Sequence, residues 1–178
     1  MKDLKQFNIP FVGLKKESHL FEYQIDNTFF EAYNFDEYFD ANIHVALTFN
    51  KKSTMLLLTF VAKGTVNITC DVSGEQFDQE IHTDLSLIVK FGDEFNDDNE
   101  EILILPHAAF QINVAQYIYE MIVLGVPSKR VHPKVLDGTL KSEALERLNK
   151  LKVTTEKTTE DVDPRWDKLK GLITEKKT

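Results

Sequence analysis

Cysteine is nearly absent from this chain of 178 residues, because Cys70 is the only one. One cysteine excludes an intramolecular disulfide framework and a zinc module that needs two cysteines of the same chain. No apolar run reaches about 18 residues, and the first residues lack the apolar segment of a signal peptide, so we expect neither a membrane span nor secretion. The sequence therefore predicts a soluble protein of a reducing compartment, the cytoplasm.

Arginine is missing from the first 128 residues, and this absence divides the chain by charge. Residues 1–128 contain 8 lysines and 20 acidic residues, a net charge of −12, whereas residues 129–178 contain 13 basic and 9 acidic residues, a net charge of +4. Trp166 is the only aromatic residue after Tyr119. A segment with few large apolar side chains buries little area when it orders. We predict an acidic globular domain over 1–128 and a basic, largely extended arm over 129–178, which is either an interaction tail or a solubilising terminus.

Alternating apolar and polar residues fill most of the first 128 residues, as in half-buried strands. The segments with strand character are 7–14, 19–25, 43–49, 55–61, 66–70, 81–91 and 102–105. Short turns between successive strands favour antiparallel pairing in a meander. We therefore predict an α+β fold whose mainly antiparallel meander sheet is either open or barrel-like.

Helical spacing accompanies these strands. Thr28 begins one predicted helix, with Glu31 as its capping-box partner, and residues 113–124 form a second with Asn113 as the N-cap. A marginal third lies within 140–151. Asp163 and Pro164 have the order of an N-cap followed by an N1 proline, which predicts a short amphipathic helix near 163–173 at the end of the arm.

Six aromatic residues crowd positions 29–39, and two interpretations are open for them. Such a dense stripe is usually hydrophobic core. The alternative is an aromatic-lined pocket, extended by Tyr117 and Tyr119, which would make the body a small-molecule-binding module.

Residues for catalysis or metal binding are not grouped in the sequence. Cys70 lies on the apolar face of its strand, with no histidine close in sequence, so we expect a buried and inert thiol. The 5 histidines are scattered and the 7 glycines stand singly, so neither a metal motif nor a glycine-rich phosphate loop is present. We predict no enzymatic activity and no cofactor.

Two segments of the chain resemble a known family. The first runs from Gly64 through the turn at Cys70 and the predicted acidic loop Gly92–Asn99 to Ile112–Pro127, and then to the basic stretch Lys129–Pro133. The second is Asp163–Leu172, which starts with Asp-Pro-Arg. Their order and spacing are similar to the YceD-like family, the large ribosomal RNA subunit accumulation proteins of bacteria and plastids. The resemblance covers a little over half of the chain.

This resemblance implies a non-enzymatic factor of the bacterial cytoplasm that supports accumulation and processing of large-subunit ribosomal RNA, and thereby ribosome biogenesis. Its implied partners are large-subunit rRNA precursors or large-subunit ribosomal proteins, without membrane or DNA. Many members carry a C-x-x-C turn and a second cysteine cluster suited to zinc, but Ser73 replaces the second thiol here and the later cluster is absent, so we expect no metal. The residues that we expect to contact the partner are Lys129, Arg130, Arg165, Trp166, Lys168 and Lys170, with Lys134 beside them.

Overall fold

The protein, as a computed structural model, is described over residues 4–99 and 101–151, where it has an α+β fold. After a 3-10 turn at Leu4–Phe7, the strands are β1 Asn8–Pro10, β2 Ser18–Ile25, β3 Asp40–Lys51, β4 Met55–Thr69, β5 Gln76–Gly92, β6 Asn96–Asn99, β7 Ile102–Pro106 and β8 Gln111–Asn113. The helices are α1 Asn27–Glu31, α2 Ala115–Gly125, α3 Pro133–Leu136 and α4 Glu143–Leu151. The predicted mixture of sheet and helix is therefore confirmed.

The main sheet has six strands in the order β2-β3-β4-β5-β7-β6. The first four pair antiparallel in chain order, which confirms the predicted meander. In the described part of the chain the sheet is open, with β2 and β6 at its edges, so the barrel-like option is not what forms. The strands β1 and β8 form a separate antiparallel pair.

The N-terminal strand is shorter than the predicted 7–14. Only Asn8–Pro10 pairs, opposite Gln111–Asn113. Pro10 has no N–H to donate, and the chain turns away after it, so the ladder ends there. The segment's apolar residues still point inward, since Phe7, Ile9 and Phe11 are buried.

The strand β4 is continuous through Gly64, where the sequence predicts a break. Gly64 lies opposite Ile43 of β3 and has a positive φ of 158°. A β-carbon at this position would clash with the backbone of Asn42 and Ile43. The glycine therefore allows close approach of two backbones within the sheet, instead of ending the strand.

The acidic segment after β5 contains a strand, where the sequence predicts only a loop. Asn96–Asn99 forms β6, and β7 then inserts between β5 and β6. As a result β7 runs antiparallel to β6 but parallel to β5, with Ile88 opposite Ile102. The residues of β6 are all exposed, and Asp97 and Asp98 place negative charge on this edge, which disfavours pairing with another strand.

The core lies between the buried face of the sheet and the helices α1 and α2. α2 packs on β5, where a β-carbon on Gly125 would overlap the side chain of Thr83. The largest fully buried side chains are Phe7, Phe30, Phe49, Phe60, Ile9, Ile25, Ile43, Leu47, Leu56, Leu58, Ile68 and Leu87.

Two helix starts differ from their predictions. Asp26, rather than Thr28, caps α1, because its carboxylate accepts the Thr28 backbone N–H at 2.9 Å. The helix α2 begins at Ala115, whose N–H is accepted by the Asn113 side chain at 2.9 Å from just outside the helix. Gln116, in the first turn of α2, donates to the Glu120 side chain at 2.8 Å.

The chain divides into two units, Met1–Leu140 and Lys141–Thr178. The second includes α4, a shorter helix than the predicted 140–151, in which Arg147 pairs with Glu143 at 2.5 Å. The predicted helix near 163–173 lies outside the described residues. The division into a domain over 1–128 and an arm over 129–178 stays a prediction.

Candidate functional site

The predicted contact residues that the structure describes follow α2. Lys129 and Lys134 are exposed, and Arg130 is half-buried. Arg165, Trp166, Lys168 and Lys170 lie outside the described residues. The geometry of the candidate site is therefore that of the stretch around Arg130.

This stretch is held against the turn that follows β4. We call residues 70–75 together with 130–132 the turn–linker junction. Asp71 N–H donates to the Arg130 carbonyl at 2.8 Å, and Arg130 N–H donates to the Asp71 carboxylate at 2.8 Å. This reciprocal pair joins positions almost 60 residues apart, so the two ends of the first family-like segment meet in space.

The Cys70 thiol lies at the centre of the turn–linker junction. It is 1% exposed, and its Sγ accepts the backbone N–H of Ser73 at 3.5 Å and that of His132 at 3.3 Å. Burial raises the pKa of the Cys70 thiol, but the hydrogen bonds from His132, Ser73 and Val72 outweigh it and hold that pKa below its usual value. The sulfur serves as an internal acceptor for two backbone donors.

The residues of the turn–linker junction do not fit the zinc site that the family resemblance implies. Ser73 stands where a second thiol is needed, and its Oγ accepts the Glu75 N–H at 3.4 Å. His132 uses Nδ1 to accept the Lys134 N–H at 3.0 Å, which caps α3. Over 4–99 and 101–151 no three His, Cys, Asp or Glu side chains are grouped so that they could hold a metal ion. A tetrahedral structural zinc needs four such ligands, so hydrogen bonds close the junction instead.

The Arg130 side chain pairs with Glu37. Its guanidinium lies 2.7 Å from the Glu37 carboxylate, and the two side chains are 30% and 51% exposed. An ion pair at this exposure contributes on the order of 1 kcal/mol or less. The Arg130 backbone thus forms hydrogen bonds within the turn–linker junction, and the Arg130 side chain places a partly neutralised charge at the surface.

The aromatic residues of 29–39 lie next to this junction and pack mostly as core. The rings of Phe30 and Tyr38 are 4.9 Å apart, and Tyr33 stacks on Tyr119 of α2 at 4.3 Å with a 10° interplanar angle. Phe39 differs, since it is 54% exposed. None of the six lines any of three clefts on the described part of the chain. These contacts favour the core interpretation over the pocket.

Two of those clefts combine charge with apolar surface. One, of about 300 Å³, lies beside α2 and has Leu85, Leu103 and Met121 below the acidic residues Asp97 and Glu120. Burial, with Asp97 and Glu120 nearby, raises the pKa of Tyr117 in its wall to about 12.

The other cleft, of about 310 Å³, is basic, with Lys16 and Lys52 over the aromatic residues Phe11 and Phe91. Reasoning from the sequence did not identify it. The available signal was two Lys-Lys pairs, at 15–16 and 51–52, in an otherwise acidic stretch.

Comparison with known proteins gives one result. The family model described as Large ribosomal RNA subunit accumulation protein YceD matches residues 58–173, which is more than half of the chain. No curated protein and no solved structure matches significantly. Among the helices of the described residues, none is long and apolar enough to span a membrane.

Proposed function

Because the chain belongs to the family of large ribosomal RNA subunit accumulation proteins, by its match over residues 58–173, we propose that it supports accumulation of large-subunit ribosomal RNA. Its role is in processing that RNA and assembling the subunit, in the cytoplasm of a bacterial cell. It acts by binding rRNA precursors or large-subunit ribosomal proteins, without catalysis. The family description supports this mode of action, because it names the accumulation of an RNA and not a reaction. The family match is the observation that carries this proposal.

The division of charge supports a binding role. The arm over 129–178 carries +4 and all three arginines, whereas the body over 1–128 carries −12. Phosphate contacts from lysine and arginine supply most of the sequence-independent affinity for nucleic acid. The acidic body repels RNA over most of its surface and attracts basic proteins, so contacts to RNA concentrate in the arm.

Within the arm we assign phosphate contacts to its basic residues near both ends. Lys129 and Lys134 are exposed beside the turn–linker junction, and Arg130 reaches phosphate by exchanging its Glu37 partner. Trp166 stacks on a base or fills a protein pocket, since tryptophan and arginine are the common anchors of small interfaces. The basic residues that accompany it are Arg165, Lys168 and Lys170.

The test is co-sedimentation of the full-length protein with precursor and mature large ribosomal subunits at low salt. We expect the wild type to follow the particles, and the pair Arg165→Ala, Trp166→Ala to weaken this association about tenfold or more, as loss of two anchors does. The matched control is Arg147→Ala, because Arg147 is already paired with Glu143 within α4. A wild-type protein that follows neither particle would overturn the proposed function.

A further inference from the structure

The lysines of the acidic body are concentrated in one place. Residues 1–128 contain only eight, and four of them form the pairs 15–16 and 51–52. The fold brings these pairs together, since Lys51 Nζ donates to the carbonyls of Phe11, Val12 and Leu14 at 2.7, 3.1 and 2.8 Å. A local basic surface thus forms on a body whose net charge is negative.

Lys51 has a positioning role in this arrangement. Its ammonium group is occupied by three backbone carbonyls, so it holds the 11–14 loop against the end of β3. Lys16 and Lys52 line the same cleft and are exposed. Glu17 is the acidic neighbour on this loop, and its backbone carbonyl accepts the Lys51 N–H at 3.2 Å. The exposed ammonium groups of Lys16 and Lys52 are therefore the two positive charges that this cleft offers to an anionic ligand.

The cleft also has aromatic and apolar lining residues. Phe11 and Phe91 pack with ring centroids 5.7 Å apart at 55°, and His107 completes the wall. Val12 also lines the cleft and is 65% exposed. The Phe110 carbonyl accepts the Phe11 N–H at 3.1 Å, which holds the segment of Phe11 and Val12 in place. The cleft therefore offers an exposed apolar side chain and an aromatic ring to a ligand beside its lysines.

From this combination we infer that the basic cleft of the body binds single-stranded RNA. Lys16 and Lys52 contact successive phosphates, and a base enters between Val12 and Phe91. Ammonium groups over an aromatic surface are the chemistry with which proteins hold unpaired nucleotides, whereas a duplex hides its base faces. The inference rests on the proposed function and adds a second RNA contact to it, separate from the arm.

Fluorescence polarisation of a labelled oligoadenylate of about twelve nucleotides tests this contact, with the full-length protein at low salt. Lys16→Glu and Lys52→Glu are each expected to lower the affinity about fivefold or more, and to reduce the slope of log affinity against log salt by about 0.7. Lys63→Glu is the matched control, because Lys63 is exposed on the same body but lies roughly 25 Å away along β4. It changes the net charge equally and should alter affinity less than twofold.

Phe91→Leu separates stacking from charge, because it removes an aromatic ring from the cleft and keeps an apolar side chain. We expect it to weaken binding about tenfold while the salt slope stays that of the wild type, since stacking involves no counterion release. Thermal unfolding of each variant checks that the fold is intact, and Lys52→Gln replaces Lys52→Glu if the charge reversal unfolds the protein.

Three outcomes overturn the inference. The first is that Lys63→Glu lowers the affinity for RNA as much as the cleft variants do. The second is that polyglutamate displaces the labelled RNA as readily as unlabelled RNA does. The third is that Lys16→Glu and Lys52→Glu both bind RNA with wild-type affinity. If the cleft variants bind RNA normally but the wild type still follows large subunits, the cleft is wrong and the proposed function stands. If the wild type binds neither the labelled RNA nor large subunits, the inference and the proposed function are both wrong.

Discussion

Cys70 lies where the family resemblance implies a metal-binding turn, and in this protein its thiol accepts hydrogen bonds. Its sulfur is buried at the end of β4, and two backbone N–H groups point to it, one from its own turn and one from His132. Without a second thiol or another ligand set in the described part of the chain, what remains is a hydrogen-bond acceptor. A buried N–H without an acceptor is costly, so this sulfur stabilises the turn–linker junction.

We predict that Cys70→Ala destabilises the protein by about 1–3 kcal/mol, because the N–H groups of Ser73 and His132 lose their acceptor. Cys70→Ser should cost less, since a hydroxyl oxygen still accepts. Urea unfolding of the two variants and the wild type measures both values. Equal stability of Cys70→Ala and wild type would show that the hydrogen bonds to the sulfur do not stabilise the fold.

At the scale of elements, β4 is the strand on which the sheet depends, because it pairs with β3 on one side and β5 on the other. Its fifteen residues cross the sheet without interruption although Gly64 lies among them. The alternation of buried and less buried residues continues on both sides of that glycine. At Gly64 the backbone of β4 therefore approaches the backbone of β3 closely without interrupting the strand.

We predict that Gly64→Ala destabilises the protein by more than about 1 kcal/mol, because the added methyl group meets the Asn42 carbonyl and φ is positive. Gly13→Ala is the matched control, since a methyl group added there would have no atom within 4 Å and φ lies outside the left-handed region. Differential scanning calorimetry compares the two melting temperatures. A Gly64→Ala protein as stable as Gly13→Ala would mean that β3 and β4 separate locally at no cost.

At the scale of the whole molecule, three tyrosines in different elements share one electrostatic property. Burial raises the pKa of Tyr23 in β2, of Tyr38 after α1 and of Tyr117 in α2 to about 12 in each case. In the unfolded chain each titrates near the usual value of 10.0. Because folding favours the protonated phenols, the stability that they contribute is complete below pH 10 and is lost as the pH rises toward 12.

We therefore predict that the free energy of unfolding falls steeply between about pH 10 and 12, with release of protons on unfolding. Near-ultraviolet absorbance of tyrosinate, followed together with circular dichroism, measures ionisation and unfolding in one titration. Tyr117→Phe should shift the loss of structure to higher pH. Ionisation of all tyrosines near pH 10 with the fold intact would contradict the prediction.

The strands that could be predicted are those with visible alternation. β3 and β5 appear in the sequence as runs of period two, and both form with their apolar residues inward. The strand β6 could not be predicted in the same way, because its four residues are polar and exposed and it exists only as the outer partner of β7. The parallel pairing of β5 with β7 depends on that insertion, which local patterns do not encode.

For the candidate site, the contact residues predicted in the stretch after α2 stay a prediction, and the sequence did not indicate what holds that stretch in place. Asp71 and Arg130 are far apart in the chain, and only the fold shows that they exchange hydrogen bonds. The basic cleft was missed for a similar reason, since two Lys-Lys pairs become one surface only when Lys51 reaches the 11–14 loop.

The sequence by itself determined the division of charge, the scarcity of cysteine, the antiparallel meander of β2 to β5 and the resemblance to the family, because composition and periodicity are local properties of the chain. The tertiary structure alone decided where distant segments meet: the closure of the turn–linker junction by hydrogen bonds, the open sheet with a parallel strand, and the basic cleft on an acidic body. These depend on contacts between residues far apart in the chain, whose geometry follows from packing around a shared core.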